Sequence, residues 1–400
     1  MLNDHIDRLP PSGFMKLDAM TREVPPAVGL APINLSIGDP QMTPPGFVVD
    51  ILVENRDLFG RYSPTGGTAE FRAAASGWLH RRYRLPAGMI DPDRHILPVA
   101  GLKEGMFMIA LVVVPRAKAG RQPAVLIPNP FYHPYAGAAA GAGAEAVFVG
   151  AHADNRFMPD FAGLDEATLA RTAAVYLCSP ANPQGVAADI GYLSALIRLA
   201  REHDFVLVVD ECYADIYVDA APVGALEACA ALGGALGGAL DNVVVFHSTS
   251  KRSSAPGLRS GFVAGDAEIL RRYLKLRNYG GVAMPQPVQA ASAALWRDDG
   301  HADANRAFYA RNFLAAERIL GNRFGYYRPD GGMFLWLDVG DGEAAARKLW
   351  SRAAVKTMPG QFMTREVPGS EGVGAPYIRL ALVHDLATTT EALERLSNTL

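Results

Sequence analysis

Short, almost continuously apolar runs alternate with longer amphipathic stretches through the middle of the chain. The longer stretches, such as TAEFRAAASGWLHRRY, which opens with Thr68, and GYLSALIRLAREHD (191–204), have the spacing of helices. Apolar runs separated by helices are typical of a mostly parallel sheet that is covered on both faces. The pattern therefore predicts an α/β domain whose ligands bind beyond the carboxyl ends of the strands. The apolar runs are AVLIP (124–128), EAVFVG (145–150), AVYLC (174–178), FVLVVD (205–210), NVVVFH (242–247) and SGFVAG (260–265).

The two ends of the chain differ in pattern from its middle. Residues 1–50 are rich in Pro and Gly, which predicts an extended arm with short elements such as INLSIGDP. After Pro285 and Pro287, two helical stretches lead to a second group of apolar runs, GGMFLWLDV and PYIRLALV. We therefore expect an N-terminal arm with a small-domain segment (1–47), a large α/β domain (48–295) and a smaller C-terminal domain (296–400).

Composition and charge narrow the class of partner. Half of the 400 residues are hydrophobic and the net charge is -3, so the chain has no global field for nucleic acid or anionic lipid. Cys178, Cys212 and Cys229 are odd in number and show no CxxC spacing, which favours reduced thiols and no metal site. MLNDHIDRLPPSG lacks the features of a signal peptide, and no apolar run approaches the ~18 residues of a membrane span. These features predict a soluble, cytoplasmic protein that binds small molecules.

Polar side chains stand where several predicted strands end. Asp210 ends FVLVVD, and Asn182 follows AVYLC in SPANPQG. Ser248, Ser250 and Lys251 follow NVVVFH. Taken alone, each residue has an ordinary interpretation as a helix cap, a turn residue or a solvated cation. Because they meet at one edge of the predicted sheet, they indicate a ligand site there.

A further stretch, AGLKEGM (100–106), precedes a helical pattern. The amides of Leu102 and Lys103 would therefore face an anion at a helix N-terminus. The stretch lacks the full spacing of a phosphate loop, so its signal is weak by itself. Together with the strand ends, it predicts a site for one phosphorylated, ring-bearing ligand.

This series of motifs resembles the class I pyridoxal-phosphate aminotransferases of fold type I. STSKRSSAPGLRSG (248–261) is similar to their S-x-S-K-x(6–7)-R-x-G signature, and NPQG (182–185) and DECY (210–213) lie upstream. The similarity runs through nearly the whole chain, from INLSIGDP to YIRLALV. It implies a large domain of mostly parallel sheet between helices, a smaller α/β domain, and pyridoxal 5'-phosphate as the cofactor.

The resemblance also implies a role for each matching residue at the cofactor. Lys251 would bind the cofactor aldehyde covalently and act as general base and acid. Asp210 would pair with the pyridine nitrogen, Asn182 and Tyr213 would bind the 3' oxygen, and Tyr132 would stack on the ring. A core position is the alternative for Tyr132. The phosphate would be held by Arg259, the hydroxyls of Ser248 and Ser250, and the amides of Leu102 and Lys103.

Three other residues are implicated in substrate binding and assembly. Arg379, in YIRLALV, resembles the arginine that binds the substrate α-carboxylate, and a cation in an apolar strand independently favours an anionic ligand. Gly38 and Asn182 would bind the same carboxylate. Tyr62, in RYSPTGG, resembles the tyrosine that reaches the phosphate of the neighbouring subunit, which implies a homodimer.

Within this superfamily the chain most resembles the N-succinyldiaminopimelate aminotransferases of bacterial lysine biosynthesis. The similar stretches include IPNPFYHPYAGAA, DECYADIY and SKRSSAPGLRSGFVAGD. The resemblance implies transfer between N-succinyl-L,L-diaminopimelate and 2-oxoglutarate. Gly280 stands where that subgroup has a histidine, and DGGMFLW is closer to general class I members, so aspartate, alanine or an aromatic amino acid stays an alternative. Arg22, Arg56 and Arg277 are candidates for binding a distal carboxylate.

Three other functions are open alternatives. One is β-elimination on the same scaffold. Another is a non-catalytic, cofactor-binding regulatory protein, which the lack of a basic stripe or of a spare DNA-binding segment disfavours. The third is a nicotinamide-dependent dehydrogenase, but GAAAGAGAEA (137–146) lacks the third glycine of that motif and precedes a strand.

Overall fold

A computed structural model describes residues 9, 11–233, 238–368 and 371–400. The strands, in chain order, are β1 Ile33–Asn34, β2 Ile96–Val99, β3 Ala124–Asn129, β4 Glu145–Gly150, β5 Thr172–Cys178, β6 Val206–Asp210, β7 Val243–Ser248, β8 Gly261–Gly265, β9 Phe334–Asp338, β10 Val355–Lys356, β11 Met358–Pro359 and β12 Tyr377–Ala381. The helices are α1 Gly13–Glu23, α2 Phe47–Glu54, α3 Ala69–Tyr83, α4 Leu102–Val113, α5 His133–Gly141, α6 Glu166–Arg171, α7 Ile190–Glu202, α8 Ala225–Leu232, α9 Thr249–Arg252, α10 Ala267–Arg277, α11 Gln286–Arg297, α12 Gly300–Leu320, α13 Gly342–Ala353 and α14 Leu386–Thr399.

The largest sheet within these described residues has seven strands in the order β2-β8-β7-β6-β5-β3-β4. Strands β3 to β7 pair in parallel, which confirms the predicted α/β fold. Strand β8 pairs antiparallel with both β7 and β2. The apolar run at 260–265 predicts this strand but does not fix its direction, because a fully buried strand is apolar in either direction.

Helices cover both faces of this sheet. Val175 and Leu177 of β5 face the core beneath α3 and α7, whereas Ala174 and Tyr176 face the core beneath α4 and α5. This alternation follows from the two-residue period of a strand. Each buried Val or Leu stabilises the fold by roughly 1.5–3 kcal/mol relative to exposure. The two cores therefore hold the sheet rigid and fix its carboxyl edge.

The register aligns the ends of three adjacent strands. Cys178 at the end of β5 is paired with Asp210 at the end of β6, and Asp210 is paired with Phe246 of β7. The segments that follow these strands thus begin beside one another. This register brings together the residues that the sequence places at strand ends.

A second sheet, with the order β11-β12-β9, is antiparallel and packs against α12, α13 and α14. Its core includes Leu335, Leu337, Ile378 and Leu380. Strand β1 pairs in parallel with β10 through Ile33 and Val355, so the N-terminal segment joins this second unit.

Helix α1 was not expected, because Pro and Gly dominate the first 50 residues and predicted an extended arm. Leu17 and Met20, three residues apart, are both buried, and Ser12 Oγ accepts a hydrogen bond from the Met15 amide. Residues 1–8 and 10 of the predicted arm lie outside the described residues. No described helix is both long and apolar enough to cross a membrane.

Candidate active site

A cavity of about 1410 Å³ lies at the carboxyl edge of the large sheet. Tyr62, which was expected to reach a neighbouring subunit, does not line it; its side chain is fully exposed. That expected contact stays a prediction, because it involves a second chain. The other residues predicted to bind the cofactor or the substrate α-carboxylate all line the cavity: Gly38, Leu102, Lys103, Tyr132, Asn182, Asp210, Tyr213, Ser248, Ser250, Lys251, Arg259 and Arg379.

Lys251 is held on a single helical turn, α9, directly after β7. Ser248 Oγ accepts the Ser250 amide at 3.0 Å and caps this turn. The carbonyl oxygen of Lys251 accepts a hydrogen bond from Asn305 Nδ2 on α12, at 2.8 Å. The Lys251 ammonium donates to the carbonyl of Gly38. The main chain of Lys251 is therefore fixed from two elements, and its side chain points into the cavity.

Burial lowers the pKa of the Lys251 ammonium, and the positive charge of Arg379 lowers it further. Asp39, Asp210 and Cys212 act in the opposite direction. The unprotonated amine is the form that attacks an aldehyde, so a lowered pKa makes Lys251 a better nucleophile near neutral pH.

Asp210 is buried and receives two hydrogen bonds. The Tyr135 hydroxyl donates to Oδ2 at 3.0 Å, and the Cys212 amide donates to Oδ1 at 3.1 Å. Burial raises the pKa of Asp210, whereas these donors lower it. Tyr135 is in turn fixed by stacking on Tyr176, with ring centres 4.8 Å apart. Sequence reasoning missed Tyr135, although it follows Tyr132 by three residues, the spacing that places two residues on one side of a helix.

An anion cradle lies where β7, α4 and the loop before β8 meet. Helix α4 begins at Leu102, and its first amides have no partner within the helix. Gly101 precedes it with a φ of +84°, and a Cβ built there would lie 2.0 Å from Arg259 Nη2. Ser248 Oγ and Ser250 Oγ lie 2.9 Å apart in the neighbouring turn. Amides, hydroxyls and a guanidinium thus converge on one volume, which suits a phosphate dianion.

Gly101 is a second residue that the sequence reasoning missed. Its signal was a glycine directly before a helix start, in the stretch AGLKEG. Such a glycine has many ordinary explanations, and the position of Arg259 gives this one its importance.

Arg379 is a buried cation without a carboxylate partner among the described residues. Its Nη1 donates to Asn182 Oδ1 at 2.9 Å, and its Nη2 donates to the Ser36 carbonyl at 2.5 Å. Its Nε is buried and makes no hydrogen bond within the described part of the chain. Burial lowers the pKa of Arg379 to about 10. Because an unpaired buried charge is costly, this arrangement suits an anionic ligand.

Phe334 fixes the geometry around Arg379. Its ring centre lies 4.4 Å from the guanidinium carbon of Arg379, and Tyr213 meets it edge to face at 5.7 Å. A Cβ built on Gly38 would lie 2.6 Å from the Phe334 ring, so the backbone of Gly38 approaches this ring closely. Burial raises the pKa of the Tyr213 phenol, which keeps it a neutral hydrogen-bond donor. Tyr132 packs edge to face on Tyr135 at 5.6 Å.

Arg252 lies outside the cavity, although it follows Lys251 directly. It donates to Asp215 at 2.7 Å and to Asp299 at 2.9 Å, and it lies between the rings of Trp78 and Trp296. The positive charge that lowers the pKa of Lys251 comes from Arg379. Arg252 joins elements of the core instead.

The three arginines proposed for a distal carboxylate do not line the cavity. Arg22 and Arg56 are exposed on the surface. Arg277 is buried, and its Nη1 donates to Glu104 at 2.8 Å while its Nη2 donates to the Val282 carbonyl.

The site residues fit pyridoxal phosphate. Lys251 supplies an amine for the aldehyde, Asp210 a carboxylate for the ring nitrogen, and the cradle beside Gly101 a place for the phosphate. Together with the mostly parallel sheet, they define an α/β enzyme of the pyridoxal-phosphate type. The family model for aminotransferase class I and II matches residues 31–396. The chain belongs to this family, whose members use pyridoxal 5'-phosphate, and it is an aminotransferase.

Two curated relatives illustrate the range of reactions in the family. The 4-dedimethylamino-4-oxo-anhydrotetracycline transaminase of Streptomyces rimosus is 31% identical over 352 residues, which are 87% of this chain and 88% of the relative. The LL-diaminopimelate aminotransferase of Nitratidesulfovibrio vulgaris is 29% identical over 408 residues, covering 99% and 98%. The scaffold is shared, while the substrates of these two relatives differ.

Two solved structures share the fold over nearly their whole length. An aminotransferase from Neisseria meningitidis is 38% identical, with a TM-score of 0.94 and 99% of each chain covered. A probable N-succinyldiaminopimelate aminotransferase from Thermus thermophilus is 25% identical, with a TM-score of 0.82, covering 97% of this chain and 100% of its own.

Proposed function

We propose that this aminotransferase transfers the amino group of N-succinyl-L,L-diaminopimelate to 2-oxoglutarate, a reaction of bacterial lysine biosynthesis. The observation that most directly supports an amino-acid substrate is the buried guanidinium of Arg379 in the cavity, which has no carboxylate partner among the described residues. The diaminopimelate type is supported by similarity over nearly the full chain to the Nitratidesulfovibrio and Thermus proteins.

The cofactor is held at both ends in this proposal. Arg259, Ser248 and Ser250 bind the phosphate together with the amides at the start of α4, and Tyr132 packs on the ring. Leu102 offers no hydroxyl, so its backbone supplies the contact. Asp210 keeps the ring nitrogen protonated; burial raises the pKa of Asp210, and the hydrogen bonds from the Tyr135 hydroxyl and the Cys212 amide favour its anionic form and oppose that effect.

Substrate binding and proton transfer are divided between Arg379 and Lys251. Arg379 binds the α-carboxylate through its guanidinium, with Asn182 and the backbone of Gly38 beside it. Lys251 Nζ accepts the proton from the substrate α-carbon as general base and then donates it as general acid. Pyridoxal phosphate, when bound, withdraws electrons from the α-carbon and carries the amino group between the two half-reactions.

Two further features complete the site in this proposal. Residues of helix α1 and of the segment 361–366 form part of the cavity wall. The exposed Tyr62 side chain binds the phosphate in the neighbouring subunit of a homodimer, so each site is completed by its partner.

LL-Diaminopimelate itself is the second candidate donor. The observation that favours it is the match to LL-diaminopimelate aminotransferases over 98–99% of both chains. The two donors differ by the succinyl group, which removes one amine and adds one carboxylate.

A panel of amino donors with 2-oxoglutarate tests the proposal, with glutamate formation as the readout. N-Succinyl-L,L-diaminopimelate should give the highest kcat/KM among this donor, LL-diaminopimelate, aspartate, alanine and phenylalanine. A higher value for one of the others reassigns the substrate. Serine, whose β-hydroxyl can leave, is added to test elimination: its conversion to pyruvate and ammonia without glutamate would indicate that reaction. The Lys251→Ala protein is the control and should form no glutamate.

A further inference from the structure

We propose a second anion subsite at the mouth of the cavity, where Arg365 and Lys16 bind the distal carboxylate of a long acidic amino donor. The inference rests on the proposed function, because it concerns the substrate of that same site. Arg365 and Lys16 thus take the role in binding the distal carboxylate for which the sequence suggested Arg22, Arg56 and Arg277.

The first observation is the wall that carries Lys16. Helix α1 begins against the turn at 360–363, so closely that a Cβ on Gly13 would lie 2.5 Å from the carbonyl oxygen of Phe362. Lys16 is one turn further along α1, and its ammonium lies 5.9 Å from the centre of the Phe362 ring. All three residues line the cavity, so the ring positions the lysine stem at its mouth.

The second observation is the anchoring of Arg365. Its amide donates to Asn129 Oδ1 at 3.0 Å, and Asn129 Nδ2 donates to its carbonyl at 2.7 Å. Asn129 is fully buried at the end of β3. The Phe131 amide also donates to the Met363 carbonyl at 3.0 Å. The main chain at Arg365 is therefore tied to the loop that carries Tyr132, while its side chain lines the cavity.

The third observation is the balance of charge at the mouth. Lys16 and Arg365 form no ion pair with any described residue. Three carboxylates line the cavity, and one of them, Asp210, accepts hydrogen bonds from the Tyr135 hydroxyl and the Cys212 amide. Glu104 is paired with Arg277 at 2.8 Å, and Glu366 accepts the Gly372 amide at 3.0 Å. Glu366 has no cation partner among the described residues and offsets one positive charge, so Lys16 and Arg365 leave this part of the lining with a net positive charge for an incoming ligand.

These positions define the class of ligand. Arg379 in β12 binds the α-carboxylate, and Arg365, in the segment between the turn at 360–363 and that strand, lines the same cavity. A donor that reaches both must carry a second carboxylate at the end of a chain. Alanine and aromatic amino acids lack that group, whereas succinylated diaminopimelate has it.

Calorimetry on the cofactor-loaded enzyme tests the subsite without turnover. Suberate carries two carboxylates and octanoate has the same chain length with one, and neither has an amine to react. The wild-type enzyme should bind suberate more tightly than octanoate. Arg365→Gln should weaken suberate binding ~10-fold and Lys16→Gln ~3-fold, with octanoate unchanged in both, as expected for one charge-assisted contact and a more exposed one.

Arg352→Gln is the matched control, because Arg352 is an exposed arginine of the second unit that does not line the cavity. It should leave both affinities unchanged. Equal binding of suberate and octanoate by the wild type, or an equal loss of both in Arg365→Gln, would overturn the subsite. A failure of N-succinyl-L,L-diaminopimelate in the donor panel while suberate keeps its Arg365-dependent advantage would overturn the proposed substrate alone.

Discussion

Arg259 Nη2 occupies the place where a side chain on Gly101 would begin, 2.0 Å from the Cβ position. The guanidinium can therefore lie against the start of α4 only while residue 101 is glycine. This relationship joins two segments that are far apart in the sequence into one anion cradle. A substitution of Gly101 therefore has two effects: it strains the backbone at a positive φ, and it displaces the Arg259 guanidinium.

Gly101→Ala should weaken pyridoxal phosphate binding by at least ~10-fold, because the new methyl group displaces Arg259. Gly88→Ala is the matched control: Gly88 has a φ of +76°, and no atom lies within 4 Å of its Cβ position. Both variants should lose ~1–3 kcal/mol of unfolding free energy, because an alanine is strained at a positive φ. Equilibrium binding and thermal unfolding measure the two effects. Equal cofactor affinity in both variants would contradict the role of the Gly101 contact.

Arg379→Gln should lower kcat/KM ~10²–10³-fold, since it removes the charged, two-pronged donor for the α-carboxylate. The unfolding temperature should not show a comparably large decrease, because the native guanidinium is buried without a carboxylate partner among the described residues. Arg379→Lys keeps the charge but loses the planar fork of the guanidinium. Its kcat/KM should lie between those of the wild type and Arg379→Gln. Steady-state kinetics and calorimetric unfolding measure these effects. A variant with full activity would remove Arg379 from substrate binding.

The pKa of Lys251 gives a pH prediction with a defined sign. Burial and Arg379 lower this pKa, so the reactive amine forms at a lower pH than in a free lysine, whose pKa is about 10.4. The rate at which cofactor-free protein captures pyridoxal phosphate should rise with pH and reach its midpoint below that value. In Arg379→Gln the midpoint should move upward. Absorbance measures the rate of capture. An unchanged or lower midpoint in Arg379→Gln would show that Arg379 does not act on this amine.

Arg252→Gln should destabilise the protein by about 3 kcal/mol or more, because Arg252 and Asp215 form a buried ion pair. Arg82 still pairs with Asp215 at 2.9 Å, which places the loss at the low end for such pairs. Lys251→Ala, one residue away, should unfold at nearly the wild-type denaturant concentration and lose turnover. The opposite pattern would mean that Arg252 belongs to the site and Lys251 to the core.

The grouping of the strand-end residues around one cavity could be predicted from the sequence, whereas their roles at the cofactor come from the family resemblance. Asp210, Asn182 and Lys251 each follow an apolar strand, and parallel strands bring such positions to one edge. Local sequence patterns were therefore enough to predict that these residues lie together. The structure also confirms the α/β fold, and the six apolar runs of the large domain begin and end within two residues of strands β3 to β8.

Other features depend on contacts between distant segments. Arg252 resembles a loop cation in sequence, and only the approach of Asp215, Trp78 and Trp296 shows that it is buried. Gly101 gains its importance from Arg259. Helix α1 was hidden by the Pro and Gly around it, and it packs against a turn more than 300 residues away, at Phe362. Local patterns do not contain this information.

Borohydride reduction of the cofactor-loaded protein, followed by mass mapping of its peptides, tests the central claim most directly. The account predicts a yellow protein whose absorbance is lost on reduction, with the pyridoxyl group on Lys251. The Lys251→Ala protein should take up no label. A colourless protein that binds no cofactor, or a label on another lysine, would contradict the assignment of this cavity as the active site.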